Sequence, residues 1–219
     1  MLALPTQSLD EIVGSVREVI ALNPEHISLY SLILEEGTPL FEKVSLGELE
    51  LTEEKLERHM YWRTKQLLEQ AGYFHYEISN FAKEGFVSKH NTNCWNQNEY
   101  LGFGIAAHSY FDNKRFSRTA NIQNYIQNIE QKEFDKNIYV EEMQDREAKA
   151  KEYMMLGFRK LEGISISEFE RKFEINPLFY FRFEISKLEE EELIEVDLDN
   201  IRLTKKGLDL ANLVFEEFV

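Results

Sequence analysis

The sequence predicts an α/β chain: part of a larger (β/α) barrel or half-barrel, followed by a small α+β domain of winged-helix type. Three observations carry that reading. Over the first third, apolar β-branched runs alternate with amphipathic segments, the order expected of βαβ units. The last third instead runs through consecutive helical patterns into two alternating stretches flanking Leu198-Asp199-Asn200. An apolar fraction of 43% in 219 residues is enough to bury a core.

The elements follow in order. Met1-Leu2-Ala3-Leu4-Pro5 reads as the tail of a buried strand, so the chain looks cut rather than started. Ser8-Leu9-Asp10-Glu11 has capping-box spacing, and Leu9, Ile12, Val13, Val16, Val19 and Ile20 then share one helical face until Asn23-Pro24 stops it. Residues 26–34, HISLYSLIL, predict a strand buried on both faces, broken by Gly37-Thr38-Pro39. Thr52 is the expected cap of a second helix, with Gly72 beyond its end. Tyr76-Glu77-Ile78 is a short strand, and the sheet so formed is expected to be parallel with a raw edge. Residues 122–130 predict a helix, and the polar stretch 132–142 a linker. Helices are expected over 145–161, 166–173 and 178–190, then a hairpin from 193–197 to 201–204, then a last helix near Lys205. The expected division is 1–137 for the barrel part and 138–219 for the winged-helix-like domain.

A net charge of −15 excludes a phosphate-backbone partner and disfavours anionic membranes. The winged-helix pattern fits a structural or interaction module, since Glu184 and the acidic run 189–192 would repel DNA. No apolar run is long enough for stable membrane insertion, and no secretory pattern opens the chain. With one cysteine, Cys94, there is no internal disulfide, and a reducing cytoplasm is the expected compartment.

Residues 75–109 hold three of five histidines (His75, His90, His108), Cys94 and Trp95 in loop-like sequence. Here His90 precedes an indole by five residues, with amides at Asn91, Asn93 and Asn96. It reads either as a metal or cofactor ligand beside a flat apolar wall or as a loop histidine bonded to a backbone carbonyl. Cys94 reads as a nucleophile beside His90 or as an inert thiol. Gly102-Phe103-Gly104-Ile105-Ala106-Ala107 has dinucleotide-fingerprint spacing without the strand that should precede it. A tight backbone passage is the better reading, with His108 at its end facing a cleft or a core hydrogen bond. Glu77 between Tyr76 and Ile78 needs a partner or a function, because burying a lone charge is costly.

Taken in order, LALPTQSLDE, NPEHISLYSLILEEGTPL, AGYFHYEISNFAKEG, HNTNCW, YLGFGIAAHS and the helix-plus-hairpin C-terminus resemble the oxygen-independent coproporphyrinogen III oxidase-like radical S-adenosylmethionine proteins. The resemblance is closer to the heme chaperone branch, with its H-N-x-x-Y-W motif. It implies the C-terminal part of a radical S-adenosylmethionine (β/α) barrel, with the three-cysteine motif for a 4Fe-4S cluster upstream of Met1. A chain with one cysteine would then be unable to cleave S-adenosylmethionine alone. It further implies that Ile33 and His108 lie on the S-adenosylmethionine side. His90 becomes the heme ligand, with Asn91 and Trp95 beside it, and Cys94 stands where the family has tyrosine. The parent would bind heme and deliver it to acceptor proteins; the alternative is a true coproporphyrinogen III oxidase. Because a half-barrel exposes a strand edge, a homodimer is expected.

Overall fold

The computed structural model describes residues 1–219 as two compact units, Met1–Ser88 and Lys89–Val219. In the first unit, α1 (Leu9–Ala21) starts at the expected capping box. The Ser8 hydroxyl accepts from the Glu11 N–H, and the Glu11 carboxylate accepts from the Ser8 N–H at 2.8 Å. After β1 (His26–Ser28) comes α2 (Pro39–Ser45), a helix where the sequence predicts only a break. Its signal was present: Thr38 caps it and Pro39 occupies the first turn, where a missing N–H costs nothing. The helix α3 (Glu54–Gln70) has Glu53 at its N-cap position, without a side-chain bond, rather than Thr52, whose hydroxyl donates to the Leu4 carbonyl at 3.2 Å.

The strands β2 (Phe74–Glu77) and β3 (Asn80–Ala82) complete a sheet of order β1-β3-β2 in which both pairings are antiparallel. Parallel pairing is confined to the bridge between Leu2 and Ser31. The expected parallel sheet is therefore corrected at this point, for a simple reason. Only Ile78 and Ser79 separate β2 from β3, and a link that short joins antiparallel neighbours alone. Glu77, 1% exposed, meets its need in that turn by accepting from the Ser79 N–H at 2.9 Å. Residues 26–34 are also less buried than their composition predicts: Leu29 is buried, yet Ile33 is 78% exposed. The core of the unit packs Leu2, Ile12, Val16, Met60, Leu68 and Phe81.

The second unit begins with α4 (Lys89–Trp95), followed by β4 (His108–Phe111), β5 (Lys114–Arg118) and α5 (Ile122–Glu130). A 3₁₀ turn (Phe134–Asn137) leads into β6 (Ile138–Met143), and the sheet order is β4-β5-β6, all antiparallel. The expected polar linker at 132–142 thus contains a strand. As an exposed edge strand it carries Glu141 and Glu142, and charge on an edge blocks further pairing while imitating linker composition. Then follow α6 (Arg146–Gly157, capped by Asp145), β7 (Ile164–Ser165), α7 (Ile166–Phe173), α8 (Pro177–Tyr180) and α9 (Arg182–Glu190). The hairpin β8 (Ile194–Val196) and β9 (Asn200–Leu203) lies where the alternation placed it, and β7 joins it in the order β7-β9-β8. Two short helices, α10 (Lys205–Asp209) and α11 (Ala211–Glu216), close the chain. Edge-to-face aromatic contacts tie this part together: Tyr153 on Phe169 and Phe173, Phe169 on Phe181, and Phe181 on Phe218. No helix is long and apolar enough to cross a membrane.

Candidate functional site

The HNTNCW segment is helical, not a loop: it forms the two turns of α4. This correction has a geometric consequence. Residues four apart on a helix face the same way, so His90 and Cys94 are neighbours, with Cys94 Sγ 3.9 Å from His90 Nε2. The edge of the Tyr100 ring meets the imidazole, with centroids 6.3 Å apart. His90 itself is exposed, while Asn91, Cys94 and Trp95 are half-buried. Burial pushes the Cys94 thiol up, against the opposing pull of the Arg115 guanidinium. The sulfur is therefore a protonated thiol at neutral pH rather than a ready nucleophile or ligand.

Asparagine, threonine and cysteine are poor helix formers, so α4 is held from its far end by tertiary bonds. Buried Gln97 donates from Nε2 to the Lys149 carbonyl at 3.0 Å and to Glu152 Oε2 at 2.8 Å. The same carboxylate takes the Arg115 fork at 2.6–2.7 Å, and Arg115 reaches Tyr100. Desolvation would raise Glu152, but the bonds from Arg115 and Gln97 and the guanidinium charge win and hold it below the usual carboxylate range. Trp95 is clamped by Arg159, whose guanidinium carbon lies 4.5 Å from the ring centroid. One indole face is thus already covered by a cation, and the ring serves to moor α4.

Beyond Tyr100 the chain arches over the β4–β5 hairpin. Tyr100 bridges Tyr110, the Gly102 N–H donates to Ser109 Oγ at 3.0 Å, and the Ala106 N–H donates to the Thr119 carbonyl. A Cβ at Gly102 would collide with the His108 carbonyl oxygen, and Gly104 has φ +102°. Gly102 is therefore needed for close approach to the neighbouring strand, and Gly104 for its positive φ, as a tight passage requires. The arch leaves Leu101, Phe103 and Ile105 exposed, Phe103 by 82%. His108 starts β4 at the surface, its Nδ1 3.5 Å from a Glu141 carboxylate oxygen. Ile33 belongs to the first unit and His108 to the second.

His75, the third histidine of the cysteine-bearing stretch, is a core residue of the first unit. It stacks on Phe81 with centroids 4.4 Å apart, and its Nε2 donates to the Ile78 carbonyl at 3.2 Å. Desolvation lowers it to about 4.

These groups fit a heme iron: an exposed imidazole on a moored helix, with an aromatic edge beside it and an exposed apolar segment following in the chain. They do not fit a 4Fe-4S cluster, since Cys94 is the one cysteine in the sequence. Nor does the fold assemble three or more His, Cys, Asp or Glu side chains in a metal-binding group.

Comparison with known proteins places the chain among relatives. Residues 144–210 match the family model described as the HemN C-terminal domain. The chain is 34% identical to a heme chaperone HemW of Lactococcus lactis, over 99% of this chain and 56% of that protein. It is 35% identical to the heme chaperone HemW of Bacillus subtilis, over 100% and 57%. A mitochondrial radical S-adenosyl methionine domain-containing protein 1 of Bos taurus is 31% identical over 95% and 49%. Among solved structures, the coproporphyrinogen III oxidase (HemN) of Escherichia coli, described as a radical SAM enzyme, superposes with a TM-score of 0.76. It covers 99% of this chain and 52% of its own, and at 17% identity the likeness is one of fold. The chain spans about half the length of the curated relatives it matches.

Proposed function

We propose, for a chain that carries a HemN C-terminal domain and is related along its whole length to proteins named heme chaperone HemW, that it binds heme through His90 and serves its delivery to acceptor proteins. The observation that carries this reading is the exposed His90 imidazole on α4, beside the Tyr100 edge and ahead of the apolar arch. Heme would be cargo here, its iron taking the imidazole and its flat face an apolar partner. Phe103 and its neighbours cost least when covered by such a surface. Asn91 shares α4 with the ligand, and Trp95 fixes the helix through Arg159. The thiol of Cys94, raised by burial, competes poorly for iron unless deprotonated.

The same proposal assigns Ile33 and His108 to the S-adenosylmethionine side. It assigns the radical chemistry to a cluster whose cysteines this sequence does not contain, and residues 138–219 to an interaction module. A cytoplasmic setting without nucleic acid belongs to it as well, in keeping with the charge of −15. Hemin titration tests it. The wild-type chain and Cys94→Ser should give the same shifted Soret band, and His90→Ala should abolish it. A mutant spectrum unchanged from wild type would sink the assignment.

A further inference from the structure

A cavity of about 420 Å³ lies where α4 ends, lined by Asn96, Asn98, Tyr153, Glu168, Arg171 and Lys172. We propose that this cavity is a binding site for a small monocarboxylate, held between the Arg171 guanidinium and the Lys172 ammonium. In a chain of strongly negative charge, cations gather here: Lys149 and Lys160 both act on Lys172. The Lys172 ammonium is tucked in, donating to the Asn96 carbonyl at 3.1 Å and the Gln97 carbonyl at 3.3 Å, and it lies 4.6 Å from the Tyr153 ring centroid. Desolvation, then the like charge of Lys149, pull it down to about 8 against the smaller opposing pull of Glu152 and Glu168.

The acids nearby are for the most part bonded elsewhere. Glu152 is engaged by Arg115 and Gln97, and Glu162 is 3.7 Å from Lys160. Glu168, the one carboxylate in the lining, is 3.8 Å from Arg171, too far for the fork to be engaged. Lys160 Nζ donates to Asn96 Oδ1 at 2.8 Å, which fixes that amide and leaves its Nδ2 hydrogens for an acceptor. Two lining cations against one lining carboxylate leave one positive charge. That matches a carboxylate, which an arginine fork takes in two parallel bonds, better than a dianionic phosphate. The cavity volume leaves room for the body of a small organic acid behind the anion.

Benzoate, benzamide and inorganic phosphate, titrated into the full chain and followed by calorimetry and by the Asn96 and Asn98 side-chain amide resonances, test the site. Benzoate should saturate, and Arg171→Gln should weaken it at least tenfold. That side chain is 80% exposed, so its loss does not threaten folding. Lys172→Met should do the same where it folds. Benzamide should not bind, and phosphate should bind no more tightly than benzoate. Absence of saturable shifts, equal binding of benzamide, or an Arg171→Gln variant that binds benzoate like wild type would each overturn the proposal. Competition identifies the source of the carboxylate. Displacement of benzoate by hemin but not by its dimethyl ester points to a porphyrin propionate; displacement by neither points to a separate small acid. The site stands in both cases, and it stands or falls independently of the His90 Soret experiment.

Discussion

His75 makes the stability of the first unit depend on mild acid, and the size of the effect follows from its surroundings. The ring is 8% exposed, stacked on Phe81, with Tyr61 Oη 3.3 Å from its Nε2. A carbonyl can only accept, so the bond to Ile78 places the proton on Nε2. Nδ1 is buried without a partner, so protonating it would create an unpaired N–H on a buried cation. The imidazole is accordingly pushed from an ordinary 6.5 to about 4. Above 6.5 neither the folded nor the unfolded chain holds the proton, and this histidine makes no pH-dependent difference. Between 6.5 and about 4 the unfolded chain binds a proton that the folded chain refuses, so stability falls as pH falls, levelling off below about 4. The full loss is on the order of 3 kcal/mol, and by pH 5 it has reached about 2 kcal/mol. Urea unfolding at pH 7.5 and 5.0 measures it, with Trp95→Phe as background so that Trp62, in edge contact with Tyr61, reports the first unit alone. The added substitution His75→Gln should cost stability at pH 7.5 but reduce the loss between the two pH values by about 2 kcal/mol. Equal losses in the two proteins would refute the reasoning.

Gly102→Ala should destabilise the second unit by about 1–3 kcal/mol, because the new methyl meets a backbone carbonyl that the β4–β5 ladder holds in place. A thermal melt within a degree of wild type would count against the tight-passage reading. The first-unit sheet ends on β1, flanked only by the parallel bridge between Leu2 and Ser31, and a homodimer is expected at high protein concentration. Light scattering should give about twice the monomer mass, and a concentration-independent monomer would remove the idea.

Local chemistry made some elements legible in the amino-acid order alone. The Ser8–Glu11 box and the turn within 197–200 are each satisfied by groups within three residues. Their structures match the expectation for that reason. The glycine at 102 likewise announces a close backbone approach, though not which strand is approached. What the sequence could not show depends on partners far along the chain. A run of asparagines becomes α4 because Gln97, Asn96 and Trp95 are bound by residues more than fifty positions away. That same distant mooring turns His90 and Cys94 from members of a loop into neighbours on one helical face. The cations of the carboxylate cavity come from α6, α7 and the turn between them, so no local pattern marks it. The sequence by itself carried the α/β class and the resemblance to proteins named heme chaperone, and it singled out His90 as the candidate imidazole. Only the tertiary structure decided that this imidazole is exposed, that the thiol beside it is half-buried and pushed up, and that the sheet is antiparallel. Exposure, desolvation and strand pairing are properties of neighbours, and the fold chooses the neighbours.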